Sequence, residues 1–212
     1  MTRVKICGIT ELRHARAAID AGADFIGLVF APSPRQVTPE KAREIATFSK
    51  KNGVPVVGVF VNMLAAEVNR TASDCGLDLI QLSGGETLEY CKQIEKPLIK
   101  AVHIQKGWQE DDLTRSLEGV ERDLHTRSPI YLLDTMSKHK YGGTGYTFDW
   151  SIAENNIKRF RLMIAGGLTP ENVGHLISHL NPWGVDVSSG VETNGIKDIN
   201  KIKAFIAEVR RN

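Results

Sequence analysis

Short apolar runs alternate with amphipathic segments along the whole chain. Eight runs have the apolar content or the two-residue alternation typical of β-strands. They are residues 3–7, 24–30, 54–61, 77–82, 97–104, 129–134, 161–165 and 184–188. Helix-forming segments lie between them, and this order of elements favours a parallel sheet covered by helices.

The helical pattern is clearest in three segments. In residues 170–180, apolar side chains recur three and four positions apart, and Thr169 followed by Pro170 predicts the helix start. Residues 38–51 repeat this Thr-Pro start with the same apolar spacing. Residues 198–212 carry one continuous apolar face, so a helix is predicted at the end of the chain.

Eight strand–helix units at an even pace predict a closed (β/α)8 barrel, also called a TIM barrel, with eight parallel strands. No linker, low-complexity tract or charge block divides residues 1–212, so we expect a single barrel domain. A doubly wound open sheet is the alternative, but it usually has fewer strands and would leave edge strands exposed.

Composition narrows the classes of function. The chain has 212 residues, 42% hydrophobic and 25% charged, with a net charge of +2, so nothing favours a nucleic-acid or membrane partner. The longest apolar run, 54–61, is too short to span a bilayer, and no signal-peptide pattern opens the chain. Three cysteines without a C-x-x-C pair argue against a disulfide framework and a zinc site. We expect a cytoplasmic protein without a metal.

Chemistry in such barrels lies at the carboxyl ends of the strands. The first strand ends at Cys7, the sixth ends at Asp134, and Arg35 follows the second. A thiol and a carboxyl group at one barrel mouth could act as base and acid, and Arg35 could bind an anion. The simpler alternatives are a turn-forming Asp134 and a solvated Arg35.

Lys5 lies on the same predicted strand face as Cys7. In a closed barrel the last strand is adjacent to the first, and there Asp186 alternates with Val185 and Val187. We therefore expect a Lys5–Asp186 pair inside the barrel, beneath Cys7. An ammonium group at this place would lower the thiol pKa. The alternative is a purely structural ion pair with Cys7 as a bystander.

Glycine-rich loops follow the last two strands, where this fold commonly binds phosphate. Exposed backbone N–H groups near a helix start bind such anions. The candidate residues are Gly166, Gly167, Ser188, Ser189 and Gly190, with Gly143 and Gly145 on a third loop that could close over them. Flexible turns are the alternative. His103, at the end of the fifth strand, could also line the pocket.

Several segments, in order from the first strand to the last helix, resemble the phosphoribosylanthranilate isomerase family. They are KICGIT, AGADFIGLVFAPSPRQV, VGVFVN, DLIQLSGGE, LLDT with YGGTGYTFDW, IAGGLTPENV and GVDVSSGVETNGIKD. The resemblance implies a cofactor-free Amadori rearrangement of N-(5-phosphoribosyl)anthranilate in tryptophan biosynthesis. It also implies that Cys7 is the general base, that Asp134 is the general acid and that Arg35 engages the anthranilate carboxylate. Lys5 and Asp186 are expected to border the bound substrate.

Two features depart from the family pattern. Ser83 stands where the family often has His, which removes any substrate contact made by that His. The TMSKHK tract makes the loop after Asp134 longer than in the family's shortest versions. Two other functions remain open: a related phosphoribosyl-aminoimidazole isomerase, which would use two carboxylates, and a regulatory phosphosugar-binding barrel without turnover. The pattern leaves monomer and homodimer equally open.

Overall fold

Eight parallel strands form a closed barrel in the computed structural model, which describes residues 1–124, 129–135 and 149–212. The strands are β1 (Arg3–Cys7), β2 (Phe25–Val29), β3 (Val56–Phe60), β4 (Leu79–Leu82), β5 (Leu98–Ile104), β6 (Ile130–Thr135), β7 (Leu162–Ile164) and β8 (Gly184–Val187). Each strand pairs with the next, and β8 pairs with β1. All eight predicted strands are therefore confirmed, and the open-sheet alternative is wrong.

Seven α-helices surround the barrel within the described residues. They are α1 (Leu12–Asp20), α2 (Pro39–Lys51), α3 (Ala65–Cys75), α4 (Leu88–Lys92), α5 (Glu110–Leu124), α6 (Val173–Leu180) and α7 (Ile199–Arg211). The Thr-Pro start of α2 is confirmed, because the Thr38 side chain accepts a hydrogen bond from the Lys41 N–H. None of these described helices is long and apolar enough to cross a membrane.

Helix α6 begins three residues later than its Thr-Pro signal predicts. The Asn172 side chain accepts from the Thr169 N–H at 2.8 Å and donates to the Gly167 carbonyl at 2.9 Å. These two bonds hold residues 167–172 as a separate turn, so the helix starts at Val173. The turn keeps the loop after β7 folded close to the barrel mouth.

The connection from β6 to β7 also differs from the predicted repeat. Within its described part it contains two short 3-10 helices, Trp150–Ala153 and Asn156–Lys158, and no α-helix. Asn156 is buried and exchanges hydrogen bonds with Thr114 of α5. These side-chain bonds fix the segment against α5, and Asn is in addition a poor residue for a helix interior.

Side-chain alternation divides the core into two layers. Outward-facing strand residues such as Val4 and Ile6 pack against the helices. Inward-facing residues such as Val57, Ile99 and Met163 fill the barrel interior. Because strand residues alternate between the two layers, the polar residues near the carboxyl ends of β1, β6 and β8 lie above an apolar floor.

A small antiparallel hairpin follows β8 and precedes α7. Its strands, β9 (Glu192–Thr193) and β10 (Ile196–Lys197), are joined by Asn194 and Gly195, which both have positive φ angles of 52° and 77°. An Asn-Gly pair with this geometry forms a tight hairpin turn. The register places Glu192 opposite Lys197 at the barrel mouth.

Candidate active site

A buried ion pair joins the first and last strands inside the barrel. The Lys5 Nζ lies 2.9 Å from the Asp186 Oδ1, and the Lys5 side chain is fully buried. The two residues are direct partners in the β1–β8 register, which confirms the predicted pair. Burial alone would lower the pKa of Lys5, but the charges of Asp186 and Cys7 raise it overall, so the amine stays protonated.

Gly27 on β2 provides the space that Lys5 and Cys7 occupy. A β-carbon added to Gly27 would lie 2.9 Å from the Cys7 Sγ and 3.2 Å from the Lys5 Cε. Gly27 is also the register partner of Cys7, and its carbonyl accepts from the Gly8 N–H. The sequence pattern did not single out this glycine, since it lies within an ordinary apolar strand.

Cys7 is buried beside this ion pair, and its pKa is raised. Burial is the largest cause, Lys5 opposes it, and Asp186 adds to it. Lys5 lowers the pKa of Cys7, as the sequence predicted. The prediction that the pKa of Cys7 is lowered overall is wrong, because the other two effects are together larger. Neither the burial of the thiol nor the negative charge of Asp186 entered that expectation.

Asp134, as the proposed acid, needs a raised pKa, and the structure provides one. Burial, followed by the charge of Asp186, raises the pKa of its carboxyl group from 3.8 to about 6, although His103 and the Thr135 N–H pull it down. The Thr135 N–H donates to the Asp134 Oδ1 at 2.8 Å. A carboxyl group with this pKa can carry a proton near neutral pH and release it.

Cys7 and Asp134 flank the same ion pair. The charges of Lys5 and Asp186 act on the pKa of both groups. Asp134 also borders the loop after β7, because a β-carbon on Gly166 would lie 3.1 Å from its Oδ1. The barrel therefore brings a thiol and a carboxyl group together around one charged centre at the carboxyl ends of its strands.

The loops after β7 and β8 pack directly against each other. A β-carbon on Gly190 would overlap the Leu168 carbonyl oxygen. Gly166 has a φ of 83°, and the described part of the chain provides no acceptor for its N–H or for that of Gly167. Ser188, Ser189 and Gly190 are half-buried on the adjoining loop. Gly143 and Gly145 lie outside the described residues.

Arg35 is not a solvated surface residue. Its Nε lies 2.7 Å from the Glu192 Oε1, and its Nη2 lies 2.8 Å from the Glu192 Oε2. Lys197 binds the same carboxylate at 2.5 Å. The sequence pattern did not predict Glu192 and Lys197 as site residues, although both lie in the family-like segment GVDVSSGVETNGIKD, because no pattern indicates their proximity to Arg35.

A second group of polar residues occupies the β4–β5 side of the barrel. The Gln81 Nε2 donates to the Ser83 hydroxyl at 2.9 Å, and the His103 ring contacts the Ser83 carbonyl at 2.9 Å. The Gln81 Oε1 is buried and has no hydrogen-bond partner among the residues that the structure describes. His103 is the register partner of Asp134 and acts on its pKa, so it lies beside Asp134 at the same end of the barrel.

Nearby, the buried Lys100 ammonium and Glu86 carboxylate form an ion pair at 3.1 Å. Glu86 also accepts from the backbone N–H groups of Asn62 and Gly84. It thereby fastens the loops after β3 and β4 to each other. Among the described residues, no cluster of His, Cys, Asp or Glu side chains could hold a metal ion.

Comparisons with known proteins agree with this geometry. Residues 4–208 match the family model of N-(5'phosphoribosyl)anthranilate (PRA) isomerase. A relative of that name from Dehalococcoides mccartyi is 47% identical, and the alignment covers 99% of this chain and 96% of the relative.

Two solved structures are similar over the full length of both chains. One, of monomers derived from the dimeric isomerase of Thermotoga maritima, is 40% identical with a TM-score of 0.82. The other, an isomerase in complex with reduced 1-(o-carboxyphenylamino)-1-deoxyribulose 5-phosphate, is 40% identical with a TM-score of 0.83. This chain therefore belongs to the N-(5'-phosphoribosyl)anthranilate isomerase family.

Proposed function

We propose that this chain isomerises N-(5-phosphoribosyl)anthranilate to 1-(2-carboxyphenylamino)-1-deoxyribulose 5-phosphate, without a cofactor, with Asp134 as acid and Cys7 as base. The observation that carries the proposal is the position of both groups beside the Lys5–Asp186 pair, with the pKa of Asp134 at about 6. The family membership supports the reaction, and the geometry supports the assignment of roles.

The reaction needs one proton donated and one removed. Protonated Asp134 gives its proton to the ring oxygen of the ribose, and the ring opens to a Schiff base. The Cys7 thiolate then removes the proton from C2′, and the resulting enolamine tautomerises to the ketone. Each positioned acid or base contributes about 10²–10⁴ in rate.

The two pKa directions set the fraction of enzyme that is ready to react. In the productive form Asp134 is protonated and Cys7 is ionised. In the inactive form Asp134 is ionised and Cys7 is protonated, so both forms hold one proton. The fraction of the productive form is therefore constant between the pKa of Asp134, about 6, and the raised pKa of Cys7. We expect a bell-shaped pH profile of kcat/KM with its acidic limb near pH 6.

The remaining groups bind the two anionic ends of the substrate. Gly166, Gly167, Ser189 and Gly190, on loops that pack together, are proposed to hold the phosphate through backbone N–H groups. Arg35, on the loop after β2, is proposed to bind the anthranilate carboxylate. Binding both ends positions the ribose carbons between Asp134 and Cys7.

One barrel spanning 1–212 is proposed to carry the complete site, because every proposed group comes from a single chain. The three buried cysteines form no disulfide within the described part of the chain, which fits a reducing compartment such as the cytoplasm. The relative from T. maritima is described as dimeric, and a homodimer is the assembly that we propose here. Light scattering of the purified chain measures this mass directly.

The decisive experiment is turnover of phosphoribosylanthranilate, followed by loss of anthranilate fluorescence. A phosphoribosyl-aminoimidazole substrate serves as the comparison, and binding without turnover would support the regulatory alternative. Cys7→Ser and Asp134→Asn should each lose at least about 10² in kcat/KM. Absence of turnover by the native chain would refute the reaction, and full activity of either variant would refute that residue's role.

A further inference from the structure

Arg35 is held along only one edge of its guanidinium group. Glu192 occupies the Nε and the Nη2 with both of its carboxylate oxygens, at 2.7 and 2.8 Å. A guanidinium has five N–H donors, so this contact leaves the two on Nη1 and one on Nη2. Within the described part of the chain no acceptor engages Nη1.

We propose that Glu192 is a positioning residue, which fixes Arg35 so that its remaining edge can bind the carboxylate of an aromatic acid in a forked, two-bond contact. The inference rests on the proposed function, in which Arg35 contacts that carboxylate. The inference adds that Glu192 orients the Arg35 guanidinium, and that this orientation serves to bind the carboxylate. Planar two-bond contacts of this kind require a fixed guanidinium plane.

Glu192 itself is fastened by its own hairpin. The tight Asn194-Gly195 turn sets Lys197 opposite Glu192, and the Lys197 Nζ binds the Glu192 Oε1 at 2.5 Å. The same ammonium donates to the Ser188 carbonyl at 2.9 Å, and Lys201 donates to the Glu192 carbonyl at 2.8 Å. The side chains of Glu192 and Lys197 are only 5% and 2% exposed, so this anchor is rigid.

The cluster has a charge surplus that suits an anionic ligand. Two cations, Arg35 and Lys197, share the single carboxylate of Glu192. One net positive charge therefore remains next to the mouth of the barrel. A substrate carboxylate would neutralise it without displacing Glu192.

A cavity of about 130 Å³ adjoins this cluster, with Gly8, Thr10, Pro34, Arg35, Glu192 and Lys197 in its lining. Cavities of about 150 Å³ accommodate benzene, so this space is close to the size of one aromatic ring. Gly8 directly follows Cys7, and a β-carbon on Gly8 would lie 2.6 Å from the Arg35 Cδ. The guanidinium arm therefore passes directly beside the proposed base.

Glu192 could instead occupy the place on Arg35 that the substrate carboxylate takes, and this role predicts the opposite change in substrate binding. If Glu192 were a stand-in that the substrate carboxylate must displace from Arg35, removing its charge would tighten substrate binding. If Glu192 positions Arg35, removing its charge weakens the binding of the carboxylated substrate. The sign of the change in KM separates the two roles.

The test compares Glu192→Gln with wild type on two substrates, phosphoribosylanthranilate and its aniline analogue, which lacks the carboxylate. We expect the preference in kcat/KM for the carboxylated substrate to fall about tenfold in Glu192→Gln, mainly through KM. Glu118→Gln is the matched control, since Glu118 also pairs with an arginine, Arg159, but lies on the surface of α5 and does not line this cavity. It should keep the wild-type preference.

Glu192→Asp is the second variant, in case Glu192→Gln does not fold. It keeps the negative charge for Lys197 but is one methylene too short for both contacts to Arg35. We expect a melting temperature close to wild type and a similar loss of carboxylate preference. In an Arg35→Lys background, Glu192→Asp should change the preference little further, because the forked contact is already gone.

An unchanged preference in Glu192→Asp, or a lower KM for the carboxylated substrate, would overturn the inference. Equal losses on both substrates would also overturn it, because they would indicate a purely structural role. Failure of the proposed function is a different result, namely no turnover of either substrate by the wild-type chain. The two failures are therefore distinguishable.

Discussion

Replacing the proposed acid should make the protein more stable at neutral pH. The pKa of the Asp134 carboxyl rises from 3.8 to about 6 in the folded chain, mainly through burial. Each pKa unit corresponds to about 1.4 kcal/mol, so the ionised carboxylate costs the folded state roughly 3 kcal/mol. Asn at this position removes the charge and can still accept the Thr135 N–H through its Oδ1.

The pH dependence gives this prediction its sign. Below pH 3.8 the carboxyl is protonated in both folded and unfolded chains, so ionisation contributes nothing. As pH rises toward 6 the unfolded chain releases its proton first, and the folded state loses relative stability. The advantage of Asp134→Asn in free energy of unfolding should therefore grow from near zero at pH 4 to about 3 kcal/mol above pH 7.

The assay is urea denaturation of both proteins at intervals from pH 4 to pH 8. Asp20→Asn, which removes an exposed carboxylate of α1, corrects for the loss of one negative charge from the whole chain. The same Asp134→Asn protein should be at least about 10² slower in kcat/KM. A stability difference that does not change with pH would refute the argument that burial holds the pKa of Asp134 high.

Three further changes test other parts of the site. Cys7→Ser should keep the melting temperature of the native chain and lose about 10² or more in kcat/KM, measured by fluorescence. Lys5→Met should lower the free energy of unfolding by about 3 kcal/mol, because Asp186 loses its partner. It should also move the basic limb of the pH profile upward, and an unchanged profile would show that Lys5 does not act on Cys7. Crystals grown in sulfate should contain an anion at Gly166, Gly167 and Gly190, and an anion bound only elsewhere on the rim would count against the phosphate site.

The strand order and the Lys5–Asp186 pair were predictable because both depend on simple repeats. Two-residue alternation determines which side chains face inward, and closure of an eight-stranded barrel places the last strand beside the first. Asp186 is 181 residues from Lys5, yet barrel closure alone predicts their contact. The pattern of local alternation was sufficient here.

The contact between Arg35 and Glu192 was not predictable in this way. These residues are 157 positions apart, and their contact depends on the particular turns of the loop that carries Arg35 and of the hairpin that carries Glu192. The net pKa of Cys7 was also out of reach, because it depends on the balance between burial and two opposite charges. The late start of α6 has a similar cause, since the Asn172 side chain outweighs the Thr-Pro signal.

The seam between β1 and β8 has a consequence for the order in which the protein becomes active during synthesis. Cys7 is synthesised long before Asp186, which neutralises Lys5 beside it. A nascent chain that lacks β8 has an open barrel and an unpaired ammonium group next to its thiol. Assembly of the proposed base site therefore waits for the last strand, and we expect chains that end before β8 to lack the proposed activity.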